Sequence, residues 1–182
     1  MIMSSRTIPT RHLILCGLFA TLTAVGSWIS IPLPGGVPIN LALLFVYLSG
    51  SLLGFAAGTM SQIVYVLLGL VGLPVFHNFT AGPGILAGPT GGYIIGYILA
   101  AAIVGFAHSS SRTSAPKSLA GFIIGLGVCY TVGTLWFMHV TNTPALAALT
   151  MCVFPFLPGD AVKIIAAFLL TKKIRPLLER TH

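Results

Sequence analysis

Residues 155–175 read PFLPGDAVKIIAAFLLTKKIR. Between the Pro-Gly pair and the closing basic cluster runs an apolar stretch that also carries an acid and a base three positions apart, Asp160 and Lys163. A charged side chain near a hydrocarbon core costs about 2.5–3.5 kcal/mol on insertion scales, so such residues face a bundle interior and mark a ligand or ion path. Positions i and i+3 share one helix face, which lets the two groups enter one cavity and neutralise each other there. Two plainer readings stand beside this one. The couple is a structural ion pair pinning the helix, or Asp160 only caps the helix start after Pro-Gly; capping leaves Lys163 unexplained.

Working outward, hydrophobic residues make up 56% of the 182-residue chain and charged ones 6%, with a mean hydropathy of +1.01. A water-soluble domain could carry that only by exposing large apolar patches, so the composition specifies a multi-span integral membrane protein, expected to be all-α. The 21 glycines and 12 prolines fit that class. Apolar runs able to cross a core of ~30 Å, each needing roughly 17–25 residues, predict six transmembrane helices. They fall at 12–30, 40–56, 58–73, 90–107, 118–139 and 157–174, within one membrane domain spanning 1–182. The second and third share a tight join around GFAAGT.

The net charge of +7 would suggest nucleic acid in a soluble protein, but here the charges sit at helix ends. Arg6 and Arg11 precede the first span, Arg112 and Lys117 lie between the fourth and fifth, and Lys172, Lys173, Arg175 and Arg180 follow the sixth. A six-span chain puts these eight on one side, leaving only Lys163, so the positive-inside bias predicts cytoplasmic N and C termini and multi-pass insertion in the cytoplasmic membrane. The first apolar run continues through SWISI to spanning length and is expected to be a retained helix rather than a cleaved signal.

Other chemistries find little support. Cys16, Cys129 and Cys152 lack CxxC spacing and read as small buried hydrophobes. The histidines at 12, 77, 108, 139 and 182 show no ligand spacing with one another or with cysteine, so no metal is expected. There is no GxxxxGK[ST] and no loop able to hold a nucleotide domain; ATP, if used, is used by another chain.

Residues 72–97, GLPVFHNFTAGPGILAGPTGGYIIGY, are uncharged apart from His77 and rich in Gly and Pro. Irregular backbone of this kind must be buried in protein or line a cavity, because open backbone cannot face lipid. Phe76, Phe79 and Tyr93 are candidates to stack on a flat ligand, and Asn78 offers a donor and an acceptor; a compact extracellular turn is the alternative. Gly50, Gly54 and Gly58 form a small-xxx-small ladder, and Ala20 and Ala24 an alanine stripe, both suited to close helix packing within the chain or against a partner.

Three runs, 17–54 (GLFATLTAVGSWISIPLPGGVPINLALLFVYLSGSLLG), 72–97 and 155–163 (PFLPGDAVK), resemble the corresponding blocks of the BioY family, the biotin-binding S components of energy-coupling factor (ECF) transporters. The resemblance implies a six-helix S-component bundle with its vitamin site near the extracellular face. It implies that the Ala20/Ala24 stripe meets the transmembrane coupling subunit, which works with two ATPases, and that this chain binds biotin without a cofactor of its own. Two departures stand out: Asn40 is followed by Leu41 and Ala42 where the family commonly has Thr followed by Leu-Gln, and His77, Asn78 and Phe79 replace small residues.

Biotin presents a neutral ureido ring with two N–H donors and a carbonyl, an apolar sulfur ring and a valerate carboxylate. On this reading Asp160 accepts from a ureido N–H, Asn78 completes the polar end, and Lys163 either neutralises Asp160 or attracts the valerate. The aromatics cover the rings. No catalytic residue is expected. The competing expectations are an S component for another small vitamin, a membrane-embedded enzyme using Asp160, and an assembly protein whose charges serve packing.

Overall fold

The computed structural model describes residues 10–33, 37–110 and 113–179; Arg6, Arg112 and Arg180 lie outside the described residues. Among the described residues, the regular structure is helical apart from one pair of two-residue strands. Helix α1 (Thr10–Trp28) leads into strands β1 (Ser30–Ile31) and β2 (Ile39–Asn40), which pair antiparallel with Ser30 opposite Asn40. Helix α2 (Ala42–Leu70) follows, then a 3-10 turn (His77–Phe79) and the short α3 (Pro83–Ala87). The remainder is α4 (Gly91–Ala107), α5 (Ala115–Thr141), α6 (Ala145–Cys152) and α7 (Leu157–Glu179).

The 29 residues of α2 are two arms, not one rod. Gly54 has φ 79° and ψ −174°, a conformation that L side chains rarely adopt, and it breaks the helix there. A Cβ on Gly58 would lie 2.8 Å from the Gly50 Cα and 2.7 Å from the Ser49 carbonyl oxygen. In a straight helix residues eight apart are separated by ~12 Å, so the chain doubles back. Gln62 confirms it by donating through Nε2 to Ser49 Oγ at 3.1 Å, thirteen residues away. The expected join at GFAAGT is this turn, and the glycine ladder is its inner surface, packed within the chain.

The same surface receives α4. A Cβ on Gly105 would meet Phe55 N and Cα at 2.6 Å, and one on Gly50 would meet the Ala101 carbonyl oxygen at 2.6 Å. Gly50→Ala is therefore expected to destabilise the protein by about 1–3 kcal/mol, more than the ~1 kcal/mol that Ala gains in helix propensity. The measurement is thermal unfolding in detergent. Gly17→Ala, where a Cβ meets nothing within 4 Å, serves as the unperturbed control.

Along α5, Gly121, Gly125, Cys129 and Gly133 recur every fourth residue and face α4, where a Cβ on Gly133 would strike the Tyr93 ring at 2.3 Å. This seam holds α4 and α5 at small-residue distance, where dispersion contacts replace the missing hydrophobic drive. Two short helices, α3 and α6, fall in the stretches 74–89 and 140–156 that lie between the predicted spans. In α6, the run ALAALTMC consists mostly of good helix formers and buries Ala148 and Cys152. It meets α7 at a bend of 52°.

By length and apolarity α2 and α5 each suffice to cross a membrane, and the bent α6–α7 pair makes a third; α4 is apolar but shorter. Treating α2 as a single span conflicts with its doubling back at Gly54, and the contacts across that turn decide the matter. Six long helical segments result: α1, the two α2 arms, α4, α5 and α7.

Candidate ligand-binding site

Asp160 and Lys163 lie in the first two turns of α7, where Asp160 N–H already donates to the Phe156 carbonyl at 2.8 Å. Asp160 is thus inside the helix rather than at its cap. Lys163 Nζ donates to Asp160 Oδ1 at 2.7 Å, and the Tyr130 hydroxyl, from α5, donates to Oδ2. Both charged residues are buried, 2% and 7% exposed. They are not turned outward: they stand in the wall of a cavity of about 50 Å³. The pair is hydrogen-bonded on both carboxylate oxygens, the condition under which buried charges are tolerated.

Every long segment contributes to this cavity. Ser27 comes from α1, Asn40 from β2, Leu43 and Tyr65 from opposite arms of α2, Tyr93 and Tyr97 from α4, and Tyr130 from α5. Phe156 closes the α7 side. The hydroxyls are fixed in place: Tyr65 is hydrogen-bonded to Ser27 at 2.7 Å, and Tyr93 to Thr134 at 2.9 Å. Asn40 Oδ1 accepts from Ala42 N–H at 3.1 Å, which holds its amide at the start of α2. The result is an aromatic box with one ion pair and a few hydroxyls, the composition of small-molecule sites.

Of the residues singled out from sequence, the structure brings Asp160, Lys163 and Tyr93 together in this wall. Three others stand elsewhere. Phe76 is fully buried behind Tyr65, with ring centroids 5.6 Å apart, filling the space above Gly69. Asn78 is exposed, and its Oδ1 accepts from Ser30 Oγ at 2.8 Å. Phe79 is 63% exposed and stacks on Trp28 at 4.9 Å. Asn78 and Phe79 have φ values of 53° and 57°, an uncommon region for such side chains, and the Ser30 and Trp28 contacts hold them there. These residues clamp the 74–82 loop to the end of α1 rather than line the cavity.

His77 is the one member of the HNF triplet that lines the cavity, with Nε2 3.4 Å from Thr90 Oγ1. Burial lowers its imidazole pKa below the ordinary value, so the ring is neutral at physiological pH and adds no second cation beside Lys163.

Sequence reasoning missed Tyr97, Tyr65 and Tyr130. Tyr97 could have been found, since it follows Tyr93 by four and shares its helix face. Tyr130 and Tyr65 reach the site only through long-range packing.

The alanine stripe also needs correction. Ala20 and Ala24 are 1% and 4% exposed and belong to the chain's own core, so they are not available to a partner. Small residues let α1 approach α2 closely, and that is how they are used. The outward ridge of α1 carries Leu13, Ile14, Gly17, Leu18, Thr21 and Val25 instead.

The sequence pattern of the BioY family matches residues 3–180. The chain belongs to the BioY family. It is 40% identical over 170 residues to "Biotin transporter BioY" of Thermotoga maritima, covering 92% of this chain and 97% of that one. It is 36% identical over 176 residues to the Rhodobacter capsulatus protein of the same name, covering 90% and 93%. Among solved structures, the S-component for biotin from an ECF-type ABC transporter superposes with a TM-score of 0.84 at 25% identity, covering 97% of this chain and 95% of that one. This BioY-family chain is therefore a membrane protein with an S-component fold.

Proposed function

We propose that this chain captures biotin at the cytoplasmic membrane as the substrate-binding subunit of an ECF transporter. The observation that carries the reading is the buried Asp160–Lys163 pair, sealed by Tyr130 in an aromatic cavity, within a chain resembling named biotin transporters over nine-tenths of its length. Each Asp160 oxygen has spare lone-pair capacity beyond its present bond, so it can accept a ureido N–H without releasing Lys163 or Tyr130. Lys163 has two further N–H donors for a carboxylate or carbonyl. Tyr93, Tyr97 and Phe156 supply the apolar walls for the sulfur ring.

The cavity is well below the ~300–1,000 Å³ of typical small-molecule sites, so ligand entry requires the wall to open. The clamped 74–82 loop above it is the segment we assign to that movement. The whole chain forms one membrane domain of six spans in this reading: α1, the two α2 arms, α4, α5 and α7. Both termini are cytoplasmic, as the grouping of basic residues favours, and the capture site faces outward. Uphill delivery needs coupled energy, which a transmembrane coupling subunit and two ATPases provide; this chain needs no cofactor.

Equilibrium titration of purified protein with labelled biotin tests the reading, with saturable binding at or below micromolar ligand as the expected result. Absence of binding there, or displacement by riboflavin or thiamine but not by unlabelled biotin, would overturn it. The competing enzyme reading, centred on Asp160, gives way to the transporter family to which the chain belongs.

A further inference from the structure

Among the described residues, three buried side-chain polar atoms have no hydrogen-bond partner: the Tyr47 hydroxyl, Gln62 Oε1 and His77 Nδ1. Of these, only His77 Nδ1 belongs to a residue that lines the capture cavity. An unpaired polar atom shut off from water is costly, and in the wall of a ligand site the ligand can supply its partner. His77 also stands where the BioY family commonly has a small residue, so it is a feature of this chain.

The backbone around this ring is fixed. The His77 carbonyl accepts from Thr80 twice, from N–H at 3.1 Å and from Oγ1 at 2.7 Å. Trp28 Nε1 donates to the Pro74 carbonyl at 2.8 Å, and Gly82 N–H to the Gly69 carbonyl at 2.8 Å, so both ends of the 74–82 loop are tied to α1 and α2. His77 Nε2 lies 3.4 Å from Oγ1 of Thr90, the residue before α4, whose hydroxyl caps no helix N–H. That hydroxyl is able to donate to Nε2. Burial, not a neighbouring charge, lowers the His77 pKa, and a neutral imidazole carries one N–H and one lone pair. With Nε2 accepting from Thr90, the single ring proton sits on Nδ1.

Biotin has a polar group at each end and apolar atoms between them. Asp160 and Lys163, 2.7 Å apart, set an acceptor beside spare donors, the pattern that a ureido N–H and its carbonyl require side by side. The valerate carboxylate, at the other end of the molecule, then needs a donor elsewhere in the wall. Other polar lining groups already hold protein partners: Ser27 with Tyr65, Tyr93 with Thr134, and Asn40 with Ala42. We propose, resting on the biotin reading above, that His77 Nδ1–H donates to the valerate carboxylate and selects the acid over its neutral amide. A charged acceptor makes this bond stronger than the carbonyl of an amide does. His77 rides on the loop assigned above to opening, so the bond forms as that loop seats over the ligand.

The test titrates the full chain in detergent with biotin and with biotinamide, and compares the ratio of the two Kd values between parent and variants. A ratio taken within one protein is unmoved by a general loss of folded material. The parent is expected to favour biotin by at least about tenfold, the worth of one charge-assisted hydrogen bond. His77→Asn, whose amide reaches the place of Nδ1, should keep that preference within about threefold. His77→Gln, whose amide reaches the place of Nε2, and His77→Ala should both lower it to about twofold or less. An unchanged preference in His77→Ala, or equal losses in His77→Asn and His77→Gln, would overturn the inference while leaving biotin capture standing. Equal affinity of the parent for the two ligands would do the same. A parent that binds neither would overturn both the inference and the reading beneath it.

Discussion

Asp160→Asn is expected to lower biotin affinity by about ten- to a hundredfold, with the protein still inserting and purifying as a monodisperse species. The loss has two sources. A charge-assisted acceptor for the ureido N–H becomes a neutral one, worth about 1.5–3 kcal/mol. Lys163, at 2.7 Å from the lost charge, is left as a buried cation without its counter-ion, so it draws on the ligand carbonyl or on water instead. Tyr130→Phe removes only the bond to Oδ2 and should cost less, about three- to tenfold. Isothermal titration of the three proteins checks the order. Undiminished affinity in Asp160→Asn would show that the pair serves packing, and a fall in thermal stability with no change in affinity would show the same.

Gly17→Leu is expected to abolish the uptake proposed to depend on the coupling subunit while leaving biotin binding within about twofold. Position 17 lies on the outward ridge of α1, and a Cβ there meets nothing within 4 Å, so the fold accommodates the side chain. Between membrane helices, close approach depends on small residues, and a leucine in such a seam separates the backbones. If this ridge is where the coupling subunit docks, the substituted chain fails to co-purify with it while still retaining ligand. Normal co-purification would move the contact to another face. The pairing of the two readouts separates failure of assembly from failure of capture.

How far the sequence led depended on how local each signal was. Asp160 and Lys163 were legible because an acid and a base are costly in an apolar run, and their spacing of three already put them on one face. The break in α2 was legible as a join around GFAAGT, and the close crossing beside it from the ladder of Gly50, Gly54 and Gly58. Tyr130 was not, because nothing thirty residues upstream announces that α5 will lie against the start of α7. The HNF triplet misled for a related reason. A Gly- and Pro-rich loop tells that aromatics are gathered, but Phe76 fills space behind Tyr65 while Phe79 turns out to stack on Trp28. The Ala20/Ala24 stripe correctly marked close helix contact, yet small residues serve an internal neighbour and a foreign one equally well.

The doubling of α2 at Gly54 also bears on how the protein sits among lipids. Arms of twelve and sixteen residues, 42–53 and 55–70, extend only ~18 and ~24 Å, whereas the acyl layer is ~30 Å thick. As two of the six spans proposed above, the arms require the surrounding leaflets to pinch inward or the hairpin to lean, each at a fraction of a kcal/mol per Å of shortfall. The glycine that lets the chain reverse thus also sets how short a reach this face of the bundle offers to the acyl layer.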